Sequence, residues 1–249
     1  MDWSQKRCVV LDMDGTVYLG HIPIEGAVSF IQKHWDSLDF YFLSNNTSKS
    51  PLTYVDKLNG MGIAARQELL LSPVTPLVDF LRERGITRVY PVGNADFQRD
   101  LQGRMPELQL VEQGAQAVVL AYDTELTYHK LARSAVLLQD SSVLFLATHP
   151  DLVCPSPEGP LPDVGSFISL YATATGRKPQ YIFGKPDPAV LAPLLARYRK
   201  EEIVMVGDRL STDMQLARNA GIDSILVLSG EATRADLERE EHQPTLVLE

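Results

Sequence analysis

The sequence predicts an α/β protein: a mostly parallel sheet with helices on both faces, and a second α/β unit inserted into the first. Three observations predict it. Short apolar, β-branched runs recur along the chain with helix-like segments between them. Several of these runs are apolar on consecutive residues, as strands covered on both faces are. From about Arg84 to Gln180 the spacing becomes less regular, and Pro150–Pro162 is rich in Pro and Gly. An inserted unit explains that change better than one very wide sheet.

Taken in order, the expected strands are Cys8–Leu11, Phe40–Leu43, Leu69–Leu71, Arg88–Tyr90, Ala117–Ala121, Val143–Ala147, Ile203–Val206 and Ser224–Leu228. Each is of strand length. Helices are expected over Gly26–Ser37, Pro51–Met61, Pro73–Arg84, Tyr128–Gln139, Pro188–Arg199 and Thr212–Ala220. Ser50-Pro51 and Asp187-Pro188 each pair an N-cap oxygen with a proline at the first helical position. Gly221 stands where a left-handed residue would end a helix. The acidic stretch Asp236–Glu241 reads as a solvated helix face. The expected division is an outer unit of residues 1–84 and 180–249 around an insertion of residues 85–179.

A chain of 249 residues buries a substantial core, and 45% hydrophobic with 22% charged residues is ordinary for a globular protein. No apolar run reaches the ~18 residues of a membrane span. Met1-Asp2-Trp3-Ser4-Gln5-Lys6-Arg7 lacks the apolar stretch of a signal peptide. Cys8 and Cys154 give no disulfide framework and fit a reducing compartment. The expected location is cytoplasmic. The net charge of −9, from 23 basic and 32 acidic residues, argues against nucleic acid as a partner. It leaves room for a small anion held locally by a metal ion, one lysine and backbone N–H groups.

Four segments bear chemistry. In Val9-Val10-Leu11-Asp12-Met13-Asp14-Gly15-Thr16 an apolar strand runs into two aspartates at i and i+2, which extended backbone places on one side. Neighbouring carboxylates call for a cation or a shared proton; Asp-Gly between apolar residues is equally a hairpin turn. In Phe40-Tyr41-Phe42-Leu43-Ser44-Asn45-Asn46-Thr47-Ser48 a strand ends in small polar residues before a helix, which suits an anion cradle or plain capping. Gly184-Lys185-Pro186-Asp187-Pro188 sets a lysine between turn residues; Pro179 and Pro186 stand where a P-loop needs Gly and Ser or Thr. Ile203-Val204-Met205-Val206-Gly207-Asp208 ends a further strand on a carboxylate, with Asp213 following at a helix start. Mg²⁺ favours one or two carboxylates with water and a substrate phosphate, although Thr212 or Asp213 also suits a helix cap. Each segment has a bland reading of its own, but all four lie at strand ends, where α/β proteins bind ligands.

Together Asp12-Met13-Asp14-Gly15-Thr16, Ser44-Asn45-Asn46, Gly184-Lys185-Pro186 and Gly207-Asp208-Arg209-Leu210-Ser211-Thr212-Asp213 resemble the four signature motifs of the haloacid dehalogenase superfamily, and more narrowly its NagD-like branch (subfamily IIA). Val92-Gly93-Asn94-Ala95-Asp96, Ala147-Thr148-His149-Pro150-Asp151, Thr175-Gly176-Arg177-Lys178-Pro179 and Ile225-Leu226-Val227-Leu228-Ser229-Gly230 add to the likeness, which covers nearly the whole chain. The resemblance implies a Rossmann-like core with a type-2 α/β cap inserted between the second and third motifs. It implies a Mg²⁺-dependent phosphatase with Asp12 as nucleophile and Asp14 as general acid/base. Ser44, Asn45 and Lys185 are then expected to hold the phosphate. Asp12, the backbone carbonyl of Asp14, and Asp208 are expected to bind the metal, with Asp213 supporting the site indirectly. Metal ligation through the side chain of Asp12, but only the main chain of Asp14, would separate their pKa values, leaving Asp14 the proton carrier.

In capped relatives the insertion supplies the substrate-contacting loop. Asp151-Leu152-Val153-Cys154-Pro155 is the candidate here, with Cys154 at a position that faces the leaving group in some members; a plain loop cysteine fits as well. His149 and Asp123 are further cap candidates. The expected partner is a small phosphate ester (a sugar phosphate, nucleoside monophosphate, phosphoglycolate, pyridoxal phosphate or nitrophenyl phosphate), with no nucleic acid and no membrane. A homo-oligomer through the cap is also compatible. Relatives usually carry one more helix than a chain ending at Leu246-Val247-Leu248-Glu249. A phosphotransferase or phosphomutase would use the same nucleophile. A phospho-accepting receiver fits poorly, being roughly half this length and uncapped. A catalytically dead binding protein fits least, since every expected catalytic residue type is present.

Overall fold

The computed structural model describes residues 2–156 and 158–249. They form two compact units: Met1–Ser44, Pro51–Leu71 and Lys185–Glu249 make the first, Asn45–Ser50 and Ser72–Gly184 the second. Each is an α/β layer structure around its own parallel sheet.

The first unit is built on a six-stranded sheet in the order Leu246–Leu248, Asp223–Val227, Ile203–Gly207, Cys8–Asp12, Asp39–Leu43, Leu70–Leu71. All neighbours pair in parallel, so every strand ends at the same edge. Alternation along the strands sorts the core onto two faces. Cys8, Val10, Tyr41, Leu43, Ile203 and Met205 face Val190, Leu191, Leu194 and Leu216. Val9, Leu11, Phe40, Phe42, Val204 and Val206 face Ile31, Leu58 and Ile63. From Cys8–Asp12 the chain winds first towards Leu70–Leu71 and later, on the other side, towards Leu246–Leu248. The strand order therefore reverses between Cys8–Asp12 and Ile203–Gly207, the kind of switch point where such sheets open a crevice.

The second unit has a five-stranded parallel sheet in the order Tyr181–Ile182, Leu144–Ala147, Ala117–Leu120, Arg88–Val92, Gln109–Leu110. The helices Val74–Glu83 and Ala95–Arg104 pack on one face through Leu77, Leu81, Phe97 and Leu101. On the other face, Leu138 follows the helix Tyr128–Leu137, and Val164 and Tyr171 lie on the helix Val164–Thr175. A short antiparallel pair, Val153–Cys154 with Leu161–Pro162, completes the unit. The sequence division placed residues 73–84 in the outer unit. In the structure Val74, Leu77, Val78 and Leu81 share a core with Val89 and Phe97, so the division falls at Leu71/Ser72 and at Gly184/Lys185.

Two expected helices differ in kind. Pro188–Arg199 is a 3₁₀ turn, Pro188–Leu191, followed by a one-turn helix, Ala192–Leu195. Pro193 has no N–H to give to the carbonyl of Ala189, so a continuous α-helix cannot form there. Thr212–Ala220 begins as the π-helical turn Leu210–Met214 before the helix Gln215–Ala220, which ends on Gly221 at φ 69°. Asp187 caps the Pro188 turn by accepting the Ala189 N–H, as its position predicts. Ala95–Arg104, Val164–Thr175 and the strand Leu246–Leu248 were not anticipated. Among the described residues, no helix is long and apolar enough to cross a membrane.

Candidate active site

The strand Cys8–Asp12 delivers Asp12 to its carboxyl end, where the residue is 8% exposed. Past it the chain turns at once, with Val17 N–H donating to the Met13 carbonyl and Gly15 at φ 91°. The Asp-Gly turn signal is therefore real, and it lies at the strand end beside the acid pair. Asp14 is exposed on this turn, and its Oδ1 accepts from the Gly20 N–H at 3.5 Å. Ser44 ends the neighbouring strand, half-buried, with its N–H on the Leu71 carbonyl at 3.2 Å.

Lys185 is almost wholly buried and forms ion pairs with Asp12 Oδ1 and, at 2.7 Å, with Asp213 Oδ1. The other Asp213 oxygen accepts the Arg209 N–H at 3.1 Å. Gly207 makes room for this, because a Cβ there would come within 2.5 Å of Asp213 Oδ2. Asp208, at the tip of Ile203–Gly207, accepts the Glu231 N–H on Oδ2 at 2.8 Å, while its Oδ1 is buried with no partner. Ligand oxygens of Asp12, Asp208 and Asp213 lie within 4.8 Å of one another.

Burial and crowding decide the charge balance. Desolvation pushes the Asp12 carboxyl up to about 8 against the pull of Lys185, with Asp213 and Asp208 adding to the rise. Burial likewise raises Asp208 to about 6. Burial opposes the charge on Lys185, but Asp12 and Asp213 outweigh it and hold its pKa above the ordinary lysine value. Were all three carboxylates to ionise against the one ammonium, two negative charges would stand uncompensated in a buried space, which is why burial holds the Asp12 and Asp208 protons. A divalent cation answers both that excess and the orphaned Asp208 Oδ1. The oxygen-only donor set suits Mg²⁺ or Ca²⁺ rather than a thiophilic metal.

Five of the residues singled out in the sequence thus fall in the first unit: Asp12, Ser44 and Asp208 stand at adjoining strand ends, Asp213 lies on the π-helical turn after Asp208, and Lys185 is ion-paired with Asp12 and Asp213, with Asp14 on the turn that follows Asp12. Asn45 belongs to the second unit, where its Nδ2 donates to both carboxylate oxygens of Asp151 at 3.2 and 3.3 Å. Cys154 is in the second unit too, half-buried, with Asn46 Nδ2 at 3.9 Å from its sulfur and the Tyr122 hydroxyl as a further partner. His149 is fully buried between Thr148 Oγ1 and Asp163 Oδ1, each at 2.9 Å. Asp123 is held by Lys130 Nζ and the Glu125 N–H, both at 2.8 Å. Both have the bonding of structural groups.

Sequence reasoning gave no role to the turn after Asp223–Val227. Ser229 Oγ donates to the Gly15 carbonyl at 2.7 Å, and Glu231 supplies the N–H that holds Asp208. Ser-Gly directly after an apolar strand was the available signal, but nothing in the order of residues says which carboxylate it meets.

Fold and site define an α/β enzyme whose chemistry is gathered at the carboxyl edge of a parallel sheet. Comparison with known proteins makes this specific. The model of the haloacid dehalogenase-like hydrolases matches residues 9–104, and a second, HAD-hydrolase-like model matches residues 182–249. The acid sugar phosphatase of Staphylococcus aureus is 31% identical, with 97% of this chain and 94% of that protein covered. Among solved structures, the 4-nitrophenylphosphatase of Thermotoga maritima is 37% identical with a TM-score of 0.92, covering 98% of this chain and 94% of that one. A glycerol phosphate phosphatase of Mycobacterium tuberculosis, solved with calcium, is 30% identical with a TM-score of 0.87 over 98% of this chain and 73% of its own. The same protein has been solved with magnesium. The chain belongs to the haloacid dehalogenase-like hydrolases, in the branch that includes NagD, and it is a phosphatase.

Proposed function

We propose that this phosphatase hydrolyses a small-molecule phosphate monoester, a sugar phosphate or nucleoside monophosphate, with Mg²⁺ and through an aspartyl-phosphate on Asp12. The observation that supports this best is the buried cluster of Asp12, Asp208, Asp213 and Lys185, with three carboxyls to one ammonium and one unpartnered carboxylate oxygen. Asp12, the Asp14 carbonyl and Asp208 would hold the ion. Bound there, Mg²⁺ would supply positive charge next to the phosphoryl oxygens and favour the ionised form of Asp12.

Asp12 is the nucleophile: its carboxylate forms the bond to phosphorus as the bond to the leaving oxygen breaks. Lys185, kept protonated by its two aspartate partners, takes part of the charge spreading over the phosphoryl oxygens. Asp213 touches Lys185 and aims its ammonium. Asp14, exposed at the turn, gives its proton to the departing alkoxide. It then takes one from the water that cleaves the aspartyl-phosphate, returning both carboxyls to their starting state. Ser44 is assigned to the phosphate from its place at the neighbouring strand end, and Asn45 from its place next to Ser44 in the chain. Cys154 is assigned to the leaving group on resemblance alone. The acid sugar phosphatase among the relatives favours sugar phosphates for the first screen.

Phosphate release from a panel of phosphorylated metabolites in Mg²⁺, without any added acceptor, tests the reading. Asp12→Asn is expected to remove turnover by about 10⁴-fold or more while its circular dichroism and melting stay those of the wild type. Substantial activity in the purified variant would overturn the mechanism. Release only when an acceptor alcohol is supplied would point to a phosphotransferase instead.

A further inference from the structure

We infer that the turn Ser229-Gly230-Glu231 is a positioning device that holds Asp208 as a one-oxygen ligand and so sets the affinity and selectivity of the divalent-cation site. The inference rests on the metal reading proposed above. The Asp208 carboxylate lies between two glycines that approach it from separate segments. A Cβ on Gly230 would come within 2.5 Å of Asp208 Cγ, and one on Gly15 within 2.6 Å. No other residue type fits against the carboxylate at either place without displacing it.

Backbone bonds then fix what the glycines admit. The Glu231 N–H donates to Asp208 Oδ2 at 2.8 Å, and the Ala232 N–H donates to the Asp208 carbonyl at 3.0 Å. One carboxylate oxygen is thereby occupied, and the other, Oδ1, is left buried and unpartnered. The same turn reaches the acid pair: Ser229 Oγ donates to the carbonyl of Gly15, the residue that follows Asp14. Arg209 Nε pairs with Glu231 Oε2 at 3.0 Å and closes the turn against the residue after Asp208. A single turn therefore grips both segments expected to bind the ion.

The consequence is chemical as well as mechanical. Mg²⁺ takes near-octahedral, one-oxygen carboxylate ligation, whereas Ca²⁺ accommodates more oxygens and accepts both oxygens of a carboxylate. A carboxylate with one oxygen tied to a backbone N–H offers the first kind of ligand and resists the second. Groups that orient a metal ligand typically alter metal affinity about 10–100-fold when changed.

The experiment is calorimetric titration of the full, metal-stripped chain with Mg²⁺ and separately with Ca²⁺, comparing wild type, Gly230→Ala and Ser229→Ala. Circular dichroism melting of each metal-free sample checks folding. Gly230→Ala is expected to weaken Mg²⁺ by about tenfold or more and to weaken Ca²⁺ less, so that the ratio of the two dissociation constants moves towards calcium. Ser229→Ala, which keeps the glycine, is expected to weaken Mg²⁺ by roughly threefold to tenfold. A folded Gly230→Ala with wild-type Mg²⁺ affinity and an unchanged ratio overturns the inference. Should Gly230→Ala fail to fold, unchanged Mg²⁺ affinity in Ser229→Ala overturns it. Wild-type protein that takes up no Mg²⁺ overturns the metal reading, and this inference with it.

Discussion

The two units solve the same folding problem and differ in how they treat buried charge. Both stack helices on a parallel sheet whose strands bury consecutive residues. In the second unit the buried ionisable groups are matched. Asp123 meets Lys130, and His149 lies between Thr148 and Asp163, whose carboxylate also caps the helix Val164–Thr175. In the first unit Asp12, Asp208 and Asp213 crowd around one lysine, and Asp208 keeps an oxygen with no partner. Buried polar groups left unmatched are costly. Their concentration at one sheet edge marks where the molecule is arranged for chemistry rather than for stability alone.

Removing the Lys185 ammonium from the acidic cluster should break this contrast most sharply. Lys185→Met leaves Asp12 and Asp213 facing each other unscreened, and should lower kcat by roughly 10²–10³-fold in steady-state phosphate release. Denaturant unfolding of the same metal-free variant should show a loss of about 3 kcal/mol. A smaller effect is expected from a matched group in the second unit. Asp163→Ala strips a helix cap and leaves His149 Nε2 unpaired, costing about 1–3 kcal/mol in the same unfolding assay with Mg²⁺ affinity unchanged. Altered metal uptake there would mean that the acidic first unit is not the metal site.

The smallest predicted effect is in pH. Asp12 and Asp208 are raised above their unfolded values, so the folded state holds their protons longer than the unfolded chain does. Their contribution to stability is present below about pH 4 and is lost as pH rises towards 8. Metal-free protein should therefore fall progressively behind Mg²⁺-loaded protein in melting temperature as pH rises from 5 to 8, by a few degrees. A gap that stays constant with pH would remove these carboxyls as the cause.

Much of this was legible in the order of residues. The strands ending at Asp12, Ser44 and Asp208 were evident because buried parallel strands write themselves as unbroken apolar runs, and polar tips stand out against them. The helix Ala95–Arg104 escaped because only Phe97 and Leu101 are fully buried in an otherwise polar stretch. Val164–Thr175 escaped because Gly165 and its Ser and Thr residues weaken any helical pattern. The support of Asp208 by Gly230 and Glu231 was beyond reach for a different reason. It depends on two turns, more than twenty residues apart, arriving at one carboxylate. Periodicity reports which face a residue takes, not which distant neighbour meets it there.

The central place of Cys8–Asp12 in its sheet has a consequence in time. One neighbour, Asp39–Leu43, follows within a few dozen residues; the other, Ile203–Gly207, pairs Cys8 with Ile203 near the far end of the chain. As the protein is synthesised, Asp12 emerges long before Lys185, Asp208 and Asp213. Closing so long a loop is slow, and domains complete themselves only when their distant strands are available. Asp12, the proposed nucleophile, is therefore made without the lysine and the acids that surround it in the fold, and it meets them only once those later segments exist.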